Sequence, residues 1–279
     1  MANFEWVASP VFRIVPAIYI AIFGILIIRY ARKSRSDPDK GDRFYYNEML
    51  LGIATLVLAG MFPWLFLHAS TNKYIIGQIY FHLWDSLTVH FIAWAIYLWR
   101  AKVNNIKKKR FEPYEQWKAR IKNIHETLPQ WKLDVRRKLM HLLPPSVIIG
   151  GYYAAIVAEP IVAQYMQAWD YYSISILIWS NVALHFTFIF FIADLLRLTH
   201  FEKLGHFAKR WYEKQITPKE LNSFTTTNPM VLSMIPFLFA PLPIFFAVVL
   251  IGTIADAAAS SVGKYLGKVR STKTQKTLE

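Results

Sequence analysis

The chain has 279 residues, 54% apolar and 16% aromatic, and its 32 Lys and Arg against 18 Asp and Glu give a formal net charge of +14. The apolar content excludes a disordered chain, the absence of cysteine excludes a disulfide-stapled secreted scaffold, and so aromatic a background does not suit a basic nucleic-acid binder. With a mean hydropathy of +0.26, the class that fits is an all-α, polytopic membrane helical bundle.

A helical span needs ~20 mostly apolar residues to cross ~30 Å of hydrocarbon. In chain order, residues 14–28, 49–67, 74–99, 142–166 and 173–196 supply five. The next apolar region breaks at Pro241-Leu242-Pro243, which predicts a short span over 229–240, a tight turn, and a seventh span over 244–262. The first span is expected to stay as an anchor and not to be a cleaved leader, because its positive charge follows it. No internal repeat and no low-complexity tract interrupts the series.

The loops orient the bundle. Basic residues cluster at 29–43 (six), 100–138 (thirteen), 197–219 (six) and 264–276 (five), so seven alternating spans put 30 of the 32 on one side. Only Arg13 and Lys73 fall elsewhere, and the opposite loops, 68–73 and 167–172, are short and nearly uncharged. Because Lys and Arg stay on the cytoplasmic face, the N-terminus is expected outside and the C-terminus in the cytoplasm. Three regions follow: a membrane part over 1–100, a basic loop over 101–134, and a second membrane part over 135–279. In the loop, Ile106, Phe111, Trp117, Ile121 and Ile124 alternate with lysines and arginines, a pattern expected of an interfacial helix on anionic headgroups.

The polar groups that suit chemistry lie at the cytoplasmic ends of the last four spans. Arg137, Lys138 and His141 sit at i, i+3 and i+4 spacings on one helical face, two fixed cations beside an imidazole, suited to phosphate. Asp194 and Arg197 are i, i+3, which permits either a local ion pair or a functional acid inside the apolar boundary. From Glu220 to Asn228, the hydroxyls of Ser223, Thr225, Thr226 and Thr227 either meet phosphate oxygens or cap the next helix. In the last span Gly252, Asp256, Ser260, Gly263 and Gly267 form one stripe, with Lys264 and Lys268 beyond it. The small residues admit a close neighbour, and Asp256 is a candidate Mg²⁺ ligand. His82, Asp85, His90, Asn181 and His185 are read as polar contacts between helices.

Taken in order, Arg137-Lys138-x-x-His141, Asp194-x-x-Arg197, the 223–227 segment and Asp256 before Gly263-Lys264 resemble the dolichol kinase, phytol kinase and CTP-dependent diacylglycerol kinase family. The last motif is also similar to that of phosphatidate cytidylyltransferases, with Lys276-Thr277-Leu278-Glu279 standing where those enzymes have Lys-Thr-x-Glu-Gly. The resemblance covers roughly 135–279. It departs at Ala255, where the family has Gly before the Asp, and at Glu279, where the family continues, so the sequence is expected to be C-terminally short.

The resemblance implies a multi-pass membrane enzyme, active on its cytoplasmic face, that uses CTP and Mg²⁺ to phosphorylate the hydroxyl of a lipid alcohol: a polyprenol, dolichol, phytol or diacylglycerol. It implies catalytic parts for His141, Asp194 and Asp256, the last also on the metal. Nucleotide or phosphate contacts are implied for Arg137, Lys138, Arg197, Ser223, Thr225, Thr226, Ser260, Gly263, Lys264 and Lys276. A phosphatidate cytidylyltransferase is the alternative, and a non-enzymatic seven-span receptor or transporter the second. A retinal protein is disfavoured, since no lysine lies between Lys219 and Lys264 to form a Schiff base.

Overall fold

The computed structural model describes residues 10–35, 42–68, 73–107, 112–165, 168–238 and 240–265. Among these the secondary structure is helical, with no strand. The helices are α1 (Pro10–Ser34), α2 (Asp42–Met61), α3 (Lys73–Lys107), α4 (Tyr114–Thr127), α5 (Gln130–His141), α6 (Leu143–Tyr165), α7 (Tyr171–Thr199), α8 (His206–Gln215), α9 (Thr227–Met234), α10 (Leu242–Leu250) and α11 (Asp256–Tyr265).

Proline marks the breaks. Pro63 falls where α2 tightens into the 3₁₀ run Phe62–His68, and Pro236 in the turn Ile235–Phe237 that ends α9. Pro144 and Pro145 have no N–H to continue the ladder of α5, so the chain turns at Leu142, whose N–H reaches only back to Leu139 O (3.2 Å). α7 starts where the Asp170 carboxylate accepts from Ser173 N at 2.8 Å, satisfying a donor that the first turn leaves open. Between α10 and α11 the ladder widens into a π turn, Ile251–Ala255, and re-forms at Asp256.

Side-chain contacts give the direction of each helix. Phe12 meets Phe81, Phe23 meets Phe91 and Phe188, and Tyr30 reaches Asn222, so α1, α3 and α7 run parallel. α2 returns against α1 through Gly24 and Gly52. α6 returns against α7, with Trp179 Nε1 donating to Ile148 O (3.1 Å) and Tyr152 packing on Tyr171. Asn228 is bonded to Asp194 near one end of α7, while Ala240 O accepts from Tyr172 (3.4 Å) at the other. The segment 228–240, with α9 and the turn after it, therefore runs from one end of α7 towards the other. The three sequence regions share one buried core, joined where Phe23 packs on Phe188 and Phe191.

Five helical segments are long and apolar enough to cross a membrane: Phe12–Ser34, Phe44–Leu65, Trp131–Tyr165, Tyr171–Thr199 and Leu242–Gly263. Their outward rows are apolar. Ile14, Ile18, Ile22 and Ile25 of α1, with Leu50, Ile53, Val57 and Met61 of α2, are each 45–68% exposed. Water would not tolerate so large an apolar surface, and lipid would, so the protein is membrane-embedded. The expected third span lies within α3, whose polar residues keep it out of the five. The expected sixth span is only α9 and its 3₁₀ turn.

The basic loop corrects one expectation. α4 is amphipathic as expected, but Trp117 and Ile121 are fully buried against the protein, Trp117 packing on Phe201 at 5.1 Å. Its apolar face is covered by the chain and does not lie on lipid. Lys118 pairs with Glu115, and Arg120 with Glu112 and Glu213. Ile106 and Phe111 are outside the described side chains.

Candidate functional site

The segment after Thr217 is irregular and buried, so its backbone groups must find partners away from water. Side chains from several helices supply them. Arg197 donates from Nη1 to Glu220 O (3.3 Å) and Leu221 O (2.6 Å), and from Nη2 to Ser223 O (2.5 Å). Tyr30 donates to Asn222 O at 2.9 Å, and Tyr114 to Leu221 O. Glu48 accepts from Phe224 N (2.9 Å). Glu220 closes a capping box with Thr217, and its other oxygen accepts from Thr226 N (3.2 Å) and Oγ1 (2.9 Å).

Asp194 completes this clamp. One oxygen takes Arg197 Nε (3.1 Å) and Nη2 (2.9 Å); the other takes Thr225 N and Oγ1, both at 2.8 Å, and Asn228 Nδ2 at 2.5 Å. Asp194 is 0% and Arg197 1% exposed, and all five N–H bonds of the guanidinium are engaged. The ring of Tyr212 lies 5.2 Å from the guanidinium carbon, and burial together with the nearby Asp194 pushes its phenol well up. Neither Asp194 nor Arg197 presents a free atom to a substrate. The implied catalytic part of Asp194 and the phosphate-binding part of Arg197 thus give way to a structural one, holding the loop, while Ser223 enters the clamp through its backbone oxygen.

What the loop borders is a cavity of about 410 Å³ between α5, α6, α7, α8, α9 and α10. Its polar end collects Asp134, Arg137, Lys138, His141, Glu220, Thr225, Thr226, Thr227 and Asp256, with Trp211 and Gln215 from α8. Four distant stretches of sequence therefore meet there. Lys138 donates to Ala257 O (2.6 Å) and to Ser261 Oγ, tying α5 to α11 and fixing Asp256 relative to His141.

Three groups at this mouth are uncommitted among the described residues. His141 Nδ1 is buried without a hydrogen-bond partner. Asp256 is exposed, its place on α11 set by the π turn just before it. Arg137 makes no hydrogen bond or ion pair, and its charge acts on both His141 and Glu220. Burial pushes the Glu220 carboxyl up, but hydrogen bonds from Thr217 and Thr226, with Arg137 beyond them, outweigh it and hold the pKa below the usual range.

The rest of the lining is apolar. Pro144, Val147, Val182, Ala183, Phe186, Phe190, Met230, Val231 and Gly252 form the walls, and Ile148, Trp179, Leu238, Phe245 and Val249 the deep end. Trp211, packed at a tilt against Phe190 with ring centroids 5.2 Å apart, sets α8 against the mouth.

Of the expected site residues, Arg137, Lys138, His141, Thr225, Thr226 and Asp256 line this one cavity; Asp194 and Arg197 sit behind the loop, and Ser223 within the loop does not line it. Gly263 is buried farther along α11 and does not line it. The side chains of Ser260 and Lys264, and all of Lys268 and Lys276, lie outside the described residues. Sequence reasoning missed Trp211, Gln215 and Asp134. It also missed the anchoring part of Glu220, which Thr217-Pro218-Lys219-Glu220 announces as a capping-box spacing. Away from the cavity, His90 and His185 face each other across α3 and α7 at 4.9 Å, and Ser86 donates to Asn181 Oδ1 (2.6 Å), the interhelical contacts expected of them. The chain matches no protein-family model, no curated protein and no solved structure.

Proposed function

We propose that the chain is a multi-pass membrane enzyme that transfers the γ-phosphoryl group of CTP to the hydroxyl of a lipid alcohol at its cytoplasmic face. One observation carries this reading: His141, Arg137 and Asp256, each uncommitted, meet at the polar mouth of a deep apolar cavity. A lipid hydroxyl at the mouth, with its chain in the cavity, stands beside a base and a cation. The topology is the seven-span one, N-terminus outside and basic loops in the cytoplasm, where CTP is.

In this mechanism the lipid hydroxyl oxygen attacks the γ-phosphorus, the bond to the β–γ bridging oxygen breaks, CDP leaves, and His141 takes the hydroxyl proton. Arg137 neutralises phosphate charge. Lys138 keeps α5 and α11 in register, so that His141 and Asp256 stay together. Mg²⁺ ordinarily binds through one or two carboxylates plus substrate phosphates, and the single exposed carboxylate of Asp256 fits that pattern. No cluster of three potential metal-ligating side chains occurs among the described residues, so the metal would arrive with the nucleotide. When bound, it supplies neutralisation of the nucleotide phosphates. By the family resemblance, Lys264 and Lys276 add phosphate contacts.

The test is transfer of label from CTP to membrane lipid. Label from the γ-phosphate is expected, and loss of it in Asp256→Asn. Label from the α-phosphate with release of pyrophosphate would assign a cytidylyltransferase instead. Transfer of neither, with no effect of Asp256→Asn on nucleotide protection against unfolding, would overturn the enzyme reading and favour a receptor or transporter.

A further inference from the structure

The lining residues of α7 and α10 farthest from the polar end are both rings, Trp179 and Phe245. Trp179 is 2% and Phe245 2% exposed; their centroids are 5.0 Å apart, and Phe246 lies 6.0 Å from Trp179. Tyr152 and Tyr171 extend the same layer beyond Phe246. The indole is fixed in place: Nε1 donates to Ile148 O at 3.1 Å, and the ring fills the space over Gly151, where an added Cβ would stand 2.9 Å from Nε1. This floor is therefore rigid, unlike the methionine-bearing wall formed by Met230 and Met234.

Two helices measure the depth independently. From Asp256 at the mouth to Phe245 at the floor is eleven residues of α10, its π turn and α11; from Phe190 to Trp179 is eleven residues of α7. Each corresponds to about 16 Å of helix rise. An extended hydrocarbon chain of roughly a dozen carbons fills that length. The polar end lies at the basic side of the bundle, so a chain with an anionic or hydroxyl head would enter tail first.

We infer that Trp179 is a chain-length ruler: the cavity takes a single hydrocarbon chain, head at His141 and Asp256, and the indole stops it. This rests on the lipid reading above and narrows it to single-chain alcohols of about a dozen carbons, since a polyprenol, dolichol, phytol or diacylglycerol would not fit whole above the indole. Trp179 touches the far end of the chain and no reacting atom, so it acts on specificity alone. Ala183, one helical turn nearer the mouth on the same face of α7, is small enough to leave the path open.

The experiment uses the full chain in lipid nanodiscs. Monoalkyl phosphates of eight to twenty carbons are added as probes at fixed mole fraction, and the unfolding temperature is read. The wild type is expected to be protected by chains up to about twelve carbons, with apparent affinity falling roughly tenfold for chains that overpack the floor. Trp179→Ala shifts the cut-off to longer chains. Ala183→Leu shifts it to shorter ones, and carries the test alone if the first variant does not fold. An identical cut-off in the wild type and the folded variants would overturn the ruler while leaving the lipid site standing. No protection at any length in the wild type would overturn the lipid reading, and the ruler with it.

Discussion

Arg197 and Asp194 show how a charge pair within a span can serve structure. Removing one partner of a fully buried ion pair leaves the other uncompensated, a loss of ~3–5 kcal/mol. Asp194→Asn is accordingly expected to lower the unfolding temperature sharply and to expose 217–226 to protease. Asp256→Asn, at an exposed position, is expected to keep the wild-type unfolding temperature while losing transfer. Equal stability of the two variants would contradict this division of labour. Glu220 gives the pH dependence. Its carboxyl pKa is lower folded than unfolded, so its contribution is fully present above the usual carboxylate value of ~4.3 and is lost as pH falls through the lower folded value. Glu220→Gln should cost ~1–3 kcal/mol at neutral pH, and the gap from wild type should shrink on acidification, as thermal melts at stepped pH would show.

At the scale of elements, α1 and α2 approach closely through two glycines. A Cβ on Gly24 would stand 2.8 Å from Leu56 Cγ and 3.1 Å from Gly52 O; one on Gly52 would stand 2.5 Å from Ile28 Cγ1 and 3.2 Å from Gly24 O. Backbone oxygen on both sides leaves little room to yield, so Gly24→Ala and Gly52→Ala should each destabilise by ~1–3 kcal/mol, measured as a fall in unfolding temperature. Gly60, with open space around it, is the control and should be neutral. The long helices were legible in the sequence because their length and hydropathy are local properties. The fate of α4 was not. Its alternation of apolar and basic residues is the same whether lipid or protein covers it, and only the arrival of Phe201 decides. The π turn before Asp256 was not legible either: Gly252 with the β-branched Ile251, Thr253 and Ile254 weakens an α-helix locally, but does not say that the ladder widens there.

For the whole molecule, the orientation is the quantity to measure. The chain contains no cysteine, so single-cysteine variants carry no background. Glu126→Cys, exposed on α4, is expected to react with an impermeant maleimide only after cells are opened, and Ala168→Cys, exposed before α7, in intact cells. The reverse pattern would invert the expected topology and place the cavity mouth on the side away from the cytosol. The candidate site itself was half legible. Arg137, His141 and Asp256 stood out because cations, imidazole and acid beside apolar spans are costly and need a reason. Asp194 and Arg197 stood out for the same reason, and nothing local could say that Thr225, Asn228 and three carbonyls would use up their hydrogen-bonding capacity.

The loop from Glu220 to Thr226 is held by Tyr30 and Glu48 as well as by its neighbours on α7. That makes the first two helices cofolding partners of the loop, so the C-terminal half does not build the cavity wall by itself. Expressed alone, residues 112–279 would lack two of the loop's fastenings and should need the first half supplied in trans. A chimera that exchanges the first hundred residues should preserve the loop only if its donor brings a hydroxyl to the place of Tyr30 and a carboxylate to that of Glu48.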